Sequence, residues 1–251
     1  MTHLVIGAGV IGGRVATMLA ERGERVSVVS RSGSGPAGVT RVAADARDGE
    51  AMGRLADGAA VIYNCVNPPY HRWAVDWPPI AASVLGAAER SGAVLVTLSN
   101  LYGNGPAEGG YDQAHPMTEE TPLAATGRKG RVRARVWREA LAAHQAGRVR
   151  ATEVRASDFV GPGAESALGE RILRRVRQGK NVSVLGRADR PHTWSFTDDV
   201  ARMLVTAGTD PRAWGRPRSA PPSPPRVRTR PARRGSRSPG GSPRHLPRRP
   251  R

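Results

Sequence analysis

The chain has 251 residues with 39 Lys or Arg against 21 Asp or Glu, a formal charge of +18, and that length suffices for one α/β domain with a full core and a small appended lobe. Its single cysteine, Cys65, excludes a disulfide framework and a cysteine-rich metal site. No stretch approaches the roughly 18 apolar residues that cross a bilayer, and the apolar N-terminus lacks a basic leader region, so a soluble, cytoplasmic chain in a reducing compartment is expected.

In chain order, HLVIG (3–7) reads as a first strand, and GAGVIGG follows it directly. Gly7, Gly9 and Gly12 keep the G-x-G-x-x-G spacing, with Val10 and Ile11 inside the turn, at the opening of the helix GGRVATMLAERG. Gly7 permits a tight turn, Gly9 lets backbone approach a pyrophosphate, and Gly12 lets helix and strand pack closely. The phosphates would meet the positive end of the helix. The second strand, RVSVVSR (25–31), ends at Arg31, where an NAD-preferring site places an acidic residue for the ribose 2′-hydroxyl. A guanidinium between Ser30 and Ser32 can clamp a 2′-phosphate, so NADP is expected, with NAD possible; the alternative is a solvated arginine in a Gly/Ser loop. After the third strand, TRVAADA (40–46), Asp45 either accepts from the adenine amino group or caps the helix GEAMGRLADG.

The fourth strand, AAVIYNCV (59–66), carries Cys65 as a small buried hydrophobe, and NPPYHRW (67–73) reads as a loop whose Tyr70, His71 and Trp73 shape a pocket or lie exposed. The helix PPIAASVLGAAERSG leads to the fifth strand, AVLVTLSN (93–100). The cation-rich PLAATGRKGRVRARV then opens the helix RVRARVWREALAAHQAG. There Arg131, Arg135 and Arg138 form a solvated face, while Val132, Val136 and Ala140 face the sheet. Trp137 is the helix's one aromatic, so no sequence-specific nucleic-acid partner is expected. VRATEVRA (149–156) is the sixth strand; in SFTDDVARML, Thr197 reads as a cap and Asp198 and Asp199 as first-turn acids of the last helix. His71, His115 and His192 have no metal-ligand spacing, so no metal is expected. Strands alternating with amphipathic helices predict a doubly wound, mainly parallel sheet, the Rossmann fold.

Several stretches, in order, resemble the NAD-dependent epimerase/dehydratase family, the extended and atypical branch of the short-chain dehydrogenases: GAGVIGG, Asp45 in AADARD, LSNLYGNG, RASDFVGPG and SFTDDVARML. The resemblance spans about residues 1–208. It implies that LSNLYGNG lies beside the nicotinamide, with Ser99 or Thr97 as the hydroxyl of the site. It also implies that Ser157, Asp158 and Phe159 form a cofactor-facing turn. The family's proton carrier is a tyrosine four residues before a lysine, and none of Tyr63, Tyr70, Tyr102 and Tyr111 has that lysine. The tyrosine's expected place falls at Thr126 or Gly127, with Lys129 as the surviving cation. Two functions follow. One is an NADP-dependent oxidoreductase or epimerase/dehydratase of a hydroxyl or carbonyl group on a small molecule or nucleotide-sugar, using Ser99 and Lys129 with a loop phenol such as Tyr102. The other is a dinucleotide-binding regulatory or scaffold protein without turnover.

The charge excess is not spread evenly: 13 Arg and no acidic residue lie in 211–251, leaving 26 basic and 21 acidic groups before them. That segment also holds 11 of the 21 prolines and is expected to be disordered. The expected layout is therefore a nucleotide-binding domain over 1–160, a truncated substrate lobe over 161–210 and a tail over 211–251, the last either native or read out of frame from about codon 216.

Overall fold

The computed structural model describes residues 1–105, 117–164, 170–182 and 192–221. Tyr111, His115 and the tail residues 222–251 lie outside them. A seven-stranded, all-parallel sheet forms the middle layer. Its strands are β1 (Thr2–Ile6), β2 (Arg25–Ser30), β3 (Thr40–Ala43), β4 (Val61–Asn64), β5 (Val94–Asn100), β6 (Arg150–Ala156) and, after the intervening β7 and β8, β9 (Pro217–Ser219). The spatial order β3-β2-β1-β4-β5-β6-β9 reverses direction between β1 and β4, the switch point of a doubly wound fold. A separate parallel pair joins β7 (Asp158–Val160) to β8 (Trp194–Phe196).

Helices cover both faces, which is why the central strands are apolar without alternation. On one face α2 (Gly49–Leu55), α3 (Trp73–Ser91) and α4 (Arg128–Gln145) bury Met52, Trp73, Trp77, Ile80, Val84 and Trp137 against Leu4, Ile62 and Leu95. On the other, α1 (Val10–Glu21) and α6 (Thr197–Thr209) bury Val15, Leu19, Val200 and Leu204 against Val5, Val28, Val61 and Val96. The remaining helix, α5, spans Glu170–Arg177.

Three expectations need correction. Helix α3 begins at Trp73, inside the stretch expected as a loop, because Pro78 and Pro79 are tolerated there: the carbonyls they leave without donors belong to exposed Ala74 and Val75. Helix α6, expected in a substrate lobe, packs beside α1 in the core of the main sheet. The segment Pro211–Ser219, expected to start the tail, instead forms a 3₁₀ turn and the edge strand β9, hydrogen-bonded beside β6. Proline at the first residue of an edge strand removes no donor the sheet needs. No helix among the described residues is long and apolar enough to cross a membrane.

Candidate active site

The glycine turn sits where β1 meets α1. Gly7 takes φ +103°, and a Cβ there would lie 2.8 Å from the backbone carbonyl of Cys65. At Gly12 a Cβ would lie 1.9 Å from the Gly7 carbonyl oxygen. Gly9 differs: it is exposed, has an ordinary negative φ, and a Cβ there would meet nothing within 4 Å. The protein's own packing demands Gly7 and Gly12 but leaves Gly9 free, with open space above it. Gly9 caps α1 without a side chain, and the first turn of α1 holds no acidic residue, leaving the helix N-terminus open to an anion. Val10 is exposed beneath the loop at Gly163, and Ile11 anchors the turn in the core.

Arg31 follows the last residue of β2 and is exposed. The nearby carboxylates are committed elsewhere. Asp45 binds the Arg47 guanidinium at 2.5 Å and its backbone N–H at 2.9 Å, bonds that hold its carboxyl below the usual range. Asp76 binds Arg72 at 2.8 Å with the same effect. Asp45 does not cap α2; Asp48 does, accepting from the N–H groups of Glu50 and Ala51 at 3.0 Å.

At the carboxyl ends of β5 and β6, Ser99 belongs to a buried polar network, whereas Lys129 is exposed. Thr97 and Ser99 face α4 across the register Thr97↔Glu153 and Ser99↔Arg155, and Ser99 is only 5% exposed, beside the Glu153 carboxylate. Arg155 donates to Glu153 at 2.6 Å and reaches Asn104 at 3.4 Å. Arg133 of α4 donates to the Leu98 carbonyl at 2.6 Å and lies 4.4 Å over the Trp77 ring. Its Nε has no partner among the described residues. Burial draws Arg133 down to about 10 and pushes Glu153 up, against the pull of Arg155 and Arg133. Sequence reasoning missed this network, although Glu153 and Arg155 at i and i+2 on a strand between two neighbours signalled two charges on one buried face.

Lys129 is exposed, 4.8 Å over the ring of Tyr70. Tyr70 stacks on Trp73 at 4.8 Å, and Tyr102 tilts against both at 6.1 and 5.7 Å. Trp73 is core rather than pocket wall, 1% exposed, with its indole N–H on the Pro68 carbonyl at 2.9 Å; His71 is exposed. Thr126 is exposed before α4, and four residues on stands Gly130 rather than Lys129. Two cations of α4 hold the loop before it: Arg131 donates to the Thr126 carbonyl and Arg138 to that of Leu123, whereas Arg135 pairs with Glu139. Past β6, the Ser157 N–H is held by Ser195, Asp158 pairs with His192 at 2.9 Å, and Phe159 packs half-buried against the α1 side of the core. Thr197 is not a cap: it is buried within α6 and its hydroxyl has no partner among the described residues, whereas Asp198 pairs with Arg14 of α1 at 2.6 Å. Burial pushes the Cys65 thiol up to about 12, in keeping with a small buried hydrophobe.

The family model of the NAD dependent epimerase/dehydratase family matches residues 3–219. The chain belongs to this family. Among solved structures, it superimposes on a dTDP-glucose 4,6-dehydratase of Bacillus anthracis in complex with NAD (TM-score 0.74, 18% identity, 87% of this chain and 74% of that one). A UDP-glucose 4-epimerase of Thermotoga maritima with UDP-glucose gives 0.70 at 20% identity, covering 83% and 74%. Pal from Bacillus thuringiensis gives 0.73 at 15%, covering 88% and 77%. At these identities the likeness is one of fold. No curated protein sequence matches the chain.

Proposed function

We propose that the chain binds a nicotinamide dinucleotide, NADP in preference to NAD, and acts on a hydroxyl or carbonyl group of a small molecule or nucleotide-sugar. One observation carries the dinucleotide reading: Gly9 is a glycine that nothing inside the protein requires, at the mouth of a helix and at the switch point of the sheet. In this reading the backbone from Gly7 to Gly12, with Val10 and Ile11, receives the pyrophosphate, Asp45 lies toward the adenine, Arg31 takes the 2′-phosphate, and Phe159 borders the far end. The bound nicotinamide would exchange a hydride with the substrate carbon. The chain's own contribution is to exclude water with Phe159, to present Lys129 at the mouth, and to fix the end of β5 through Ser99 and Glu153. The second reading, binding without turnover, draws on Thr126 and Gly130 standing where the family's tyrosine and lysine are expected.

Calorimetric titration tests the cofactor. NADP(H) should bind at least about tenfold tighter than NAD(H), about 1.4 kcal/mol, and Arg31→Asp should invert the order. Equal affinities in the unaltered chain would remove Arg31 from the site. Binding of neither would end the dinucleotide reading.

A further inference from the structure

Counted four residues on from Thr126, a family-type lysine has no room to return on α4. A Cβ at Gly130 would lie 2.3 Å from the carbonyl oxygen of Tyr102 and 2.4 Å from the Ala125 methyl. The contact recurs from the other side, where a Cβ at Gly103 would meet Leu123 at 3.0 Å and the Ala134 nitrogen at 3.3 Å. The 3₁₀ turn Leu101–Gly103, which continues β5, is therefore seated on the first turns of α4, and Asn100 fixes its start by accepting from the Tyr102 N–H at 3.1 Å. That seat occupies the helix position four residues after Thr126 and in the same stroke places Tyr102 at the carboxyl end of β5. Tyr102 is 43% exposed there, with Tyr70 of the preceding crossover and Asp158 of β7 as its charged or titratable neighbours, and Lys129 and Arg133 of α4 flanking Tyr70.

We propose that Tyr102 is the proton donor of this site, supplying from the end of β5 the phenol that the family carries on the helix, with Tyr70 and Lys129 as positioning residues. The proposal rests on the reading that the chain is a nicotinamide-dependent enzyme. In the reducing direction the carbonyl carbon gains the hydride and the carbonyl oxygen gains the Tyr102 proton. The C=O π bond gives way to C–H and O–H bonds, and the phenolate left behind takes a proton from water, which reaches both half-exposed phenols. Burial and the adjacent Tyr70 push Tyr102 up to about 12. An acid raised in this way keeps its proton through neutral pH, which is the form a donor needs, and the reducing rate should fall only as strongly alkaline pH removes it.

The test uses the full chain with NADPH and two carbonyl probes, phenanthrenequinone and nitrobenzaldehyde. Tyr102→Phe keeps the ring and removes only the hydroxyl. It should lower kcat by about 10²–10⁴-fold with cofactor affinity unchanged by calorimetry. A polyfluorinated tyrosine placed at 102 has a more acidic phenol and should move the alkaline fall of kcat to lower pH, a shift that a packing role would not produce. Lys129→Met and Tyr70→Phe should each give smaller losses in kcat, again without loss of cofactor. Reduction by Tyr102→Phe at the unaltered rate, or an alkaline limb indifferent to fluorination, overturns the proposal and leaves the enzyme reading standing. A chain that binds NADPH and reduces neither probe overturns both.

Discussion

The glycine turn after β1 and the aromatic mouth after β4 and β5 lie at the same edge of the sheet but are built in opposite ways. The turn is one contiguous stretch whose geometry is dictated by backbone: Gly7 needs a positive φ, Gly12 a missing Cβ, Gly9 an open face. The mouth is assembled from side chains of separate elements, with Tyr70 after β4, Tyr102 after β5, and Lys129 and Arg133 on α4. Backbone geometry leaves its mark on neighbouring residues, whereas side-chain juxtaposition across a fold leaves none. In the proposed site the nucleotide end is one local stretch, and the proton-transfer end is gathered from separate elements.

The sharpest break between the two regions should come in the floor beneath the mouth. Glu153 is the lone carboxylate of a buried network with two guanidiniums, Arg155 and Arg133. Removing one partner of such a cluster leaves a buried charge uncompensated and costs about 3–5 kcal/mol. Glu153→Gln should lower the unfolding free energy in urea by that amount, while Glu139→Gln, which breaks only the exposed i,i+4 pair with Arg135, should lower it by nothing measurable. Equal small losses in both would mean that the network contributes no more than a surface pair.

Within the glycine turn the comparison can be drawn residue by residue. Gly12→Ala places a methyl 1.9 Å from the Gly7 carbonyl and should cost about 1–3 kcal/mol of stability, with cofactor binding lost alongside. Gly9→Ala meets no protein atom within 4 Å. It should leave stability within about 0.5 kcal/mol and still weaken cofactor binding at least about tenfold. Undiminished affinity in Gly9→Ala would return that glycine to the role of a plain turn residue.

The same contrast explains what could be read in advance. Six strands, the doubly wound class of the sheet and the glycine turn were legible because each is written in local periodicity, alternation or spacing. The start of α3 was not, since Pro78 and Pro79 look like a boundary and lie inside the helix. Strand β9 was hidden because Pro217, Arg218 and Ser219 have no strand character of their own and owe their pairing to β6. Arg131 and Arg138 read correctly as outward-facing, but that they tie down the loop before their own helix needed coordinates. Arg133, two places from Arg131 and Arg135, turns inward to the Leu98 carbonyl and Trp77. Composition alone cannot tell such an arginine from its neighbours.

The smallest expected effect separates two aspartates that the sequence leaves ambiguous. Asp45 and Asp48 stand three apart between β3 and α2, and either could begin the helix. In the structure Asp48 accepts from two of the N–H groups that the first turn leaves without partners, while Asp45 is occupied with Arg47. Loss of an N-cap side chain costs about 1 kcal/mol, so Asp48→Ala should lower stability by that much and speed hydrogen exchange at the amides of Glu50 and Ala51. Asp45→Ala should leave those two amides as protected as before and show its effect in cofactor affinity instead, because its carboxylate holds Arg47 and, in the proposed reading, lies toward the adenine. If Asp45→Ala unprotects the first turn of α2, the division of labour between the two residues is wrong, and the nucleotide end of the site then includes Asp48 rather than Asp45.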